Sequence, residues 1–326
     1  MNLVAKLINV LTVKHSLGLE LMKQGNPVLD SNSERIIMTV TAPASLLTAE
    51  NQAVMENYYD HTNVGDFLGA TQFLSDDVVY RIPGPPSIVA YSGEWVGKER
   101  VVQLFQAFNS AFSLVDMVET RTVTSPSEVL SINDEIFVAR GTGRPWRVGV
   151  VHHMKFRNGK IYSLTNYTDI VPAIQALAGR NATEIPMLPS DLFAGESSVP
   201  SEEAAKVIGR YYEQFPNVDD LVNDDVTALM PGDPRRLRWS GKWSGRREFL
   251  QMCSSFSSTL QVEKRTVSQI LANNGSVAAT VRLQGRSTAS QASFDFEAVE
   301  FFQISGEKKI SRLTSFFDTY RVTGAA

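Results

Sequence analysis

Apolar residues return along this chain at two different intervals, and the intervals alternate in the same order twice. Val54, Tyr58 and Tyr59 fall on one helical face, and Ala204, Ile208, Tyr211 and Tyr212 do so again further on. After each of these helices comes a strand region punctuated by Pro-Gly, at 83–84 and at 231–232. A Ser-Gly-x-Trp-x-Gly turn (92–97 and 240–245) then leads into a second helix, in which Val101, Leu104, Phe105 and Phe108 recur at helical spacing. The remainder alternates with period two, as in EIFVARG (135–141), RVGVVHHMKF (147–156) and KIYSLTNYTD (160–169), which predicts strands with one buried face.

The recurrence is a duplication. The segment at 76–108 aligns without a gap to the one at 224–256, 148 residues on, and Asp76, Asp77, Val78, Pro83, Gly84, Ser92, Gly93, Trp95, Gly97, Gln103 and Phe108 are identical in both. VETRTV (118–123) matches VEKRTV (262–267), and GKIYSLTNYTD (159–169) matches KKISRLTSFFD (308–318). Each unit has the length of a domain rather than of a solenoid repeat. The expected organisation is an N-terminal extension at 1–48, partly helical, a first domain at 49–178, a linker at 179–200 rich in Pro, Ser, Gly and Ala, and a second domain at 201–322. Helices first and antiparallel strands after is an α+β order, in which a sheet wraps the helices and encloses a pocket.

Composition narrows the function classes. The chain has 326 residues, a formal net charge of −4 and one cysteine, Cys253. That charge offers no general attraction to nucleic acid or to an anionic membrane, and the lone cysteine excludes an intrachain disulfide or a cysteine-rich metal centre. The apolar run Leu7–Val13 is cut short by Lys14 and His15 with no cleavage site after it, so the N-terminus reads as an amphipathic helix and not as a signal peptide. A cytoplasmic protein without a membrane span is the expectation. His152 and His153 are adjacent on a strand and face opposite ways, and no metal or phosphate-binding motif occurs, so no metal and no cofactor are expected.

The order of elements, the Pro-Gly strand, the Trp-x-Gly-Lys/Arg turn, NGKI (158–161) and the closing Tyr-x-Asp strand resemble the nuclear transport factor 2 superfamily, and within it the SnoaL-like polyketide cyclases and ketosteroid-isomerase-like proteins. The resemblance spans both repeats and implies two tandem cone-shaped α+β barrels, each with an apolar pocket between helices and sheet. Members include isomerases, cyclases, epoxide hydrolases and binding modules, so fold alone leaves the activity open.

In SnoaL-like cyclases a histidine on the penultimate strand and an acid fourteen residues later face the pocket. His152 matches the first; the second falls on Asn166, an amide that orients a carbonyl or enolate but transfers no proton at neutral pH. The second copy has Glu300 and Ser315 there. Ile82 and Met230 occupy the ketosteroid-isomerase base position, which argues against that mechanism, and epoxide hydrolysis lacks its final-strand acid. Alternation turns His152, Met154 and Phe156 to the pocket and His153 to a surface or interface. It also points Asp169 and Asp318 away from Asn166 and Ser315, as groups that bond the chain end. His152 is the candidate base, the alternative being a buried histidine satisfied by a tyrosine or a carbonyl. A buried Glu300 needs a raised pKa or an arginine, for which Arg282 and Arg312 are candidates.

Tyr58, Tyr59, Tyr80, Tyr91, Trp95 and Tyr167 are candidates to line the first pocket, with Arg140 as a substrate contact. Tyr211, Tyr212, Trp239, Trp243, Phe302 and Phe317 are candidates for the second. The basic stretch 234–248 reads as a solvated loop or as a gate for an anionic substrate. The leading expectation is a cofactor-free cyclase acting on a small apolar or aromatic β-keto or polyketide-like molecule, anionic if the basic stretch is a gate, with decarboxylation compatible with the missing acid. The competing one is a non-catalytic small-molecule-binding or dimerisation module, and an epoxide hydrolase-like activity is third. The sequence leaves a homodimer open and expects the two units of one chain to pack sheet to sheet.

Overall fold

In the computed structural model, residues 46–182, Leu188 and 198–323 are described. The expected N-terminal helix lies outside them. The first unit contains α1 (Leu46–Asn63), α2 (Phe67–Ala70), β1 (Leu74–Ile82), β2 (Gly93–Val96), α3 (Lys98–Ala111), β3 (Phe112–Thr124), β4 (Glu128–Ala139), β5 (Pro145–Arg157), β6 (Lys160–Thr168) and α4 (Val171–Leu177). The second contains α5 (Ser201–Gln214), β7 (Val222–Met230), β8 (Gly241–Ser244), α6 (Arg246–Thr259), β9 (Leu260–Asn273), β10 (Ser276–Ser287), β11 (Ser293–Ile304), β12 (Ile310–Phe316) and α7 (Tyr320–Thr323).

Each unit has a six-stranded mixed sheet. The orders are β2-β1-β6-β5-β4-β3 and β8-β7-β12-β11-β10-β9, with one parallel pair in each, β1 with β6 and β7 with β12. The chain is therefore a tandem of two α+β units of the same topology. The repeated turn builds the same device twice. Gly97 and Gly245 precede α3 and α6 at φ 86° and 85°, which a side chain would resist, and each donates its N–H across 2.7 Å, to Val78 O and Val226 O. Trp95 and Trp243 each donate Nε1–H at 3.1 Å to the carbonyl four residues back, of Tyr91 and Trp239. What is identical between the copies is turn and packing chemistry.

Alternation along β4, β5 and β6 sorts side chains to two different cores. Val129, Phe137, Trp146, Val148, Met154 and Phe156 face the helices of the first unit, whereas Leu130, Ile132, Val151 and Tyr167 face the other way. There they meet Leu271, Ala278, Val299, Phe301 and Phe316 of the second sheet, together with Leu188. The two sheets thus pack face to face through a largely apolar layer. Gly149 makes part of that approach possible, since a Cβ there would stand 3.1 Å from the Phe316 ring and 3.3 Å from Leu188.

Asp169 and Asp318, equivalent in the two repeats, meet in this layer. Asp169 Oδ1 accepts from Thr319 Oγ1 at 2.8 Å and from Thr319 N at 3.3 Å, so the first unit ties down the chain end of the second. Asp318 Oδ1 accepts from Tyr320 N at 3.0 Å. Both carboxylates are buried, and desolvation pushes them up, Asp169 to about 6 and Asp318 to about 7, the latter raised further by the charge of Asp169.

Candidate active site

In the first unit, α1, α3 and the sheet enclose a cavity of about 370 Å³, within the range of small-molecule sites. Helical spacing on α1 presents Tyr58 and Tyr59 to it, and the inward faces of β1, β4, β5 and β6 supply Tyr80, Glu135, His152 and Asn166. Leu104, Phe105 and Phe108 of α3 form an apolar wall.

Four polar side chains converge at one end. His152 Nδ1 lies 2.8 Å from the Tyr59 hydroxyl and 3.3 Å from Asn133 Nδ2. An amide nitrogen only donates, so Nδ1 is the acceptor and the ring proton sits on Nε2. Nε2 is 3.7 Å from Glu135 Oε1. Burial lowers the His152 imidazolium to about 4 and raises the Glu135 carboxyl to about 8, the latter reinforced by the negative charge of neighbouring Asp134. Although the separation is that of an ion pair, desolvation favours the neutral state of both partners, so the pair at neutral pH is an imidazole beside a carboxylic acid. Asn166 stands opposite His152 in the β5–β6 register, and its amide bonds the Tyr80 hydroxyl. Its Oδ1 is buried with no hydrogen-bond partner.

Glu135 was not among the residues singled out from the sequence. The signal lay in SINDEIF (131–137): with Phe137 inward, alternation turns Asn133 and Glu135 inward as well. A carboxyl group therefore does reach the cavity, from β4 instead of the final strand.

Among the other expected residues, Tyr58, Tyr59, Tyr80, Tyr91 and Arg140 line the cavity, Arg140 at its rim with Nε donating to the carbonyls of Asn109 and Phe112. Trp95 does not. It lies on edge strand β2, outside the cavity wall, with the Arg100 guanidinium over its ring at 5.1 Å. Tyr167 also falls elsewhere, because alternation from Asn166 sends it into the layer between the sheets. His153 occupies that same face, buried, 2.6 Å from Glu128 Oε2.

The corresponding place in the second unit is nearly filled. A recess of about 20 Å³ remains, lined by Tyr211, Tyr212, Phe215, Met252, Phe256, Arg265 and Glu300 among others, room for about one water. Glu300 accepts from Tyr212 Oη at 2.6 Å and from Ser315 Oγ at 3.3 Å, and burial raises its pKa. The cation near it is Arg265. Arg282 is engaged with Asp295 at 2.7 Å, and Arg312 pairs in register with Gln303, one face away from Glu300. Trp239, fully buried, packs on Phe317 and Phe256 as core, and Trp243 and Phe302 likewise belong to the packing and not to the recess wall. At the positions of Tyr80, Asn133 and Glu135 this unit has Ala228, Val281 and Leu283, so its polar cluster is reduced to Glu300, its two hydroxyl donors and Arg265. None of the basic residues at 234–248 lines either space. Arg235 pairs with Asp233, and Arg246 with Asp224.

Among the described residues no group of three His, Cys, Asp or Glu side chains is placed to hold a metal ion, and no helix is long and apolar enough to cross a membrane.

Residues 55–164 match the family model of the SnoaL-like domain, which covers β1 to β5 and all but the last residues of β6. That match falls within the first unit, and the second unit repeats the first unit's topology. Solved structures similar to this chain include a nuclear transport factor 2-like protein of unknown function from Burkholderia pseudomallei (18% identity, 39% of this chain, 97% of that one, TM-score 0.36). They also include TerC co-crystallised with polyporic acid (15%, 40% and 98%, 0.36). A third is an LEH-like epoxide hydrolase of M. tuberculosis (18%, 40% and 91%, 0.33). No curated protein matches the sequence.

Proposed function

We propose that the first-unit cavity is the active site of a cofactor-independent cyclase acting on a small β-keto or polyketide-like molecule, and that the second unit serves as its packing partner. The observation that carries this reading is the Glu135–His152 pair, 3.7 Å apart and buried in a cavity of about 370 Å³. A carboxyl group kept protonated near neutral pH is a general acid at the right pKa, and hydroxyl and amide groups around it suit an oxygen that gains charge. For a β-keto acid, the bond to the carboxylate breaks and carbon dioxide leaves, with the electron pair passing to the enolate. The enolate carbon attacks a second carbonyl carbon, forming the ring bond, and the resulting alkoxide takes the Glu135 proton. Water restores that proton, so one proton is consumed and no oxidant or reductant is needed.

The test is a panel of synthetic β-keto acids bearing a second carbonyl, followed for carbon dioxide and for the cyclised product by mass spectrometry. Turnover by the native protein that disappears in Glu135→Gln supports the reading; turnover unchanged in both Glu135→Gln and His152→Ala overturns it.

A second reading, a module that binds without catalysis, is favoured by the state of His152. An imidazole lowered to about 4, with Nδ1 already engaged by two donors, is a weak base. That reading gains if small aromatic acids stabilise the fold while no member of the panel is turned over.

A further inference from the structure

The exposed residues among those lining the first-unit cavity are Asn63, Val64, Gly65, Asn109, Leu114 and Arg140, and they form its rim. Arg140 is the one Lys or Arg in the whole lining, and the one acid is Glu135, which burial keeps neutral. At neutral pH the lining therefore carries a single formal charge, positive, at the mouth. Part of what Arg140 does there is structural. It follows the last residue of β4 and covers the end of α3, where a helix leaves carbonyls unpaired. Its backbone N–H donates to Ala111 O at 2.8 Å, and its Nε to Asn109 O at 2.6 Å and Phe112 O at 3.0 Å. Nη2 donates to Asn109 Oδ1 at 3.0 Å. Each of these acceptors is uncharged, so none of them neutralises the guanidinium.

The second unit shows that the cap needs no charge. Thr288 stands at the equivalent place, 148 residues on. Its N–H donates to Thr259 O at 2.9 Å, and its hydroxyl to Ser258 O at 2.8 Å and Thr259 O at 3.1 Å. The turns that follow β4 and β10 correspond bond for bond, Gly143 N to Ala139 O at 2.8 Å and Gln291 N to Ser287 O at 2.9 Å. The same helix end is thus closed by a threonine in the unit whose interior is filled, and by an arginine in the unit that keeps a cavity. The positive charge accompanies the open volume.

A cation at the mouth of an apolar cleft concentrates its field there and attracts an anion. A guanidinium offers one charge and planar donors, which match a carboxylate. The helix end beside it is a C-terminus, which disfavours negative charge and presents no free N–H groups, so a doubly charged phosphate is poorly served. Arg140 lies five residues beyond Glu135 in the chain, about 17 Å along the strand direction. A carboxylate held at the mouth is therefore not one that reacts beside Glu135 and His152. We propose that Arg140 is the specificity residue for a ligand carboxylate held at the mouth of the cavity. This rests on the cavity being the ligand site, and it narrows the substrate class that the cyclase reading leaves open. The substrate is a β-keto acid with a second carboxylate, at the far side of its apolar body, which is retained through the reaction.

Two probes of one shape test it, 2-naphthoate and its neutral counterpart 2-naphthamide, with affinities for the full chain measured by calorimetric titration. The expected result is that 2-naphthoate binds about tenfold more tightly than 2-naphthamide at low ionic strength. The ratio should shrink toward one as salt rises from about 0.01 M to about 1 M, a readout that needs no variant. Arg140→Thr keeps a capping hydroxyl and should abolish the ratio, whereas Arg140→Lys keeps the charge and should preserve most of it. Binding of neither probe, equal binding of the two, a ratio indifferent to salt, or a ratio that survives in Arg140→Thr overturns the proposal. Its failure is separate from that of the cyclase reading. Absence of turnover across the β-keto acid panel, with the salt-sensitive ratio intact and lost in Arg140→Thr, removes the cyclase and leaves the carboxylate site standing.

Discussion

His152 Nε2 and Glu135 Oε1 stand 3.7 Å apart across neighbouring strands, although the register pairs His152 with Ser131 and Glu135 with Val148. The contact is diagonal. It places a carboxyl group beside the histidine while keeping both under the aromatic lid of α1, where Tyr59 fixes the ring. Low local polarity is what holds the acid in its protonated form.

Replacing Glu135 by Gln keeps the size of the side chain and removes its proton. The expected loss of turnover is roughly 10²–10⁴-fold, the usual worth of a positioned general acid. In the native protein the acid must be protonated to act, and its pKa is about 8. The rate should therefore hold below that value and fall about tenfold per unit above it; a flat profile to pH 10 would contradict the assignment.

The state of His152 is directly measurable. Burial lowers its pKa to about 4, so an imidazole NMR titration should show it neutral at pH 6, with Nε2 carrying the proton. Tyr59→Phe removes a donor that favours the neutral ring, and the pKa should rise. No change on that substitution would show that the hydroxyl leaves the ring unaffected.

Glu300 separates the two units functionally. Its recess of about 20 Å³ admits no organic substrate, so Glu300→Gln should leave turnover within about twofold, since such distant substitutions act independently. Because burial raises the Glu300 pKa, charging it opposes folding. The substitution should also raise Tm above neutral pH, read by calorimetry.

The buried Asp169–Asp318 pair makes stability depend on pH with a definite sign. Both carboxyls have raised values in the folded chain, about 6 and about 7. Their contribution to stability is complete below the unfolded value near 4 and is lost as pH rises through 6 to 7. Asp318→Asn should accordingly raise Tm by a few degrees at pH 8 and change it little at pH 4. Equal effects at the two pH values would show that the gain does not come from charge.

Much of this arrangement was legible in the chain as written. Internal identity revealed the duplication, and the 3.6-to-2 change of period gave the order of elements. Alternation from Met154 and Phe156 placed His152 inward with Asn166 beside it, because the side-chain period of a strand is a property of the backbone. Period says which face a residue takes. It does not say which distant strand lies alongside or how much volume the packed side chains leave. Glu135 reaches His152 only because β4 and β5 pair in one particular register, and Trp95 misses the cavity because β2 is an edge strand. The second unit keeps the same turn and topology, yet Phe215, Met252 and Phe256 close its interior almost completely. Asp169 and Asp318, which the strand pattern could only turn away from the pockets, meet because two sheets pack face to face. The sequence by itself determined the repeated frame and the inward histidine. Tertiary packing decided which unit keeps a cavity, which acid stands beside that histidine, and where two carboxylates are buried together, because volume, register and desolvation exist only once separate elements have met.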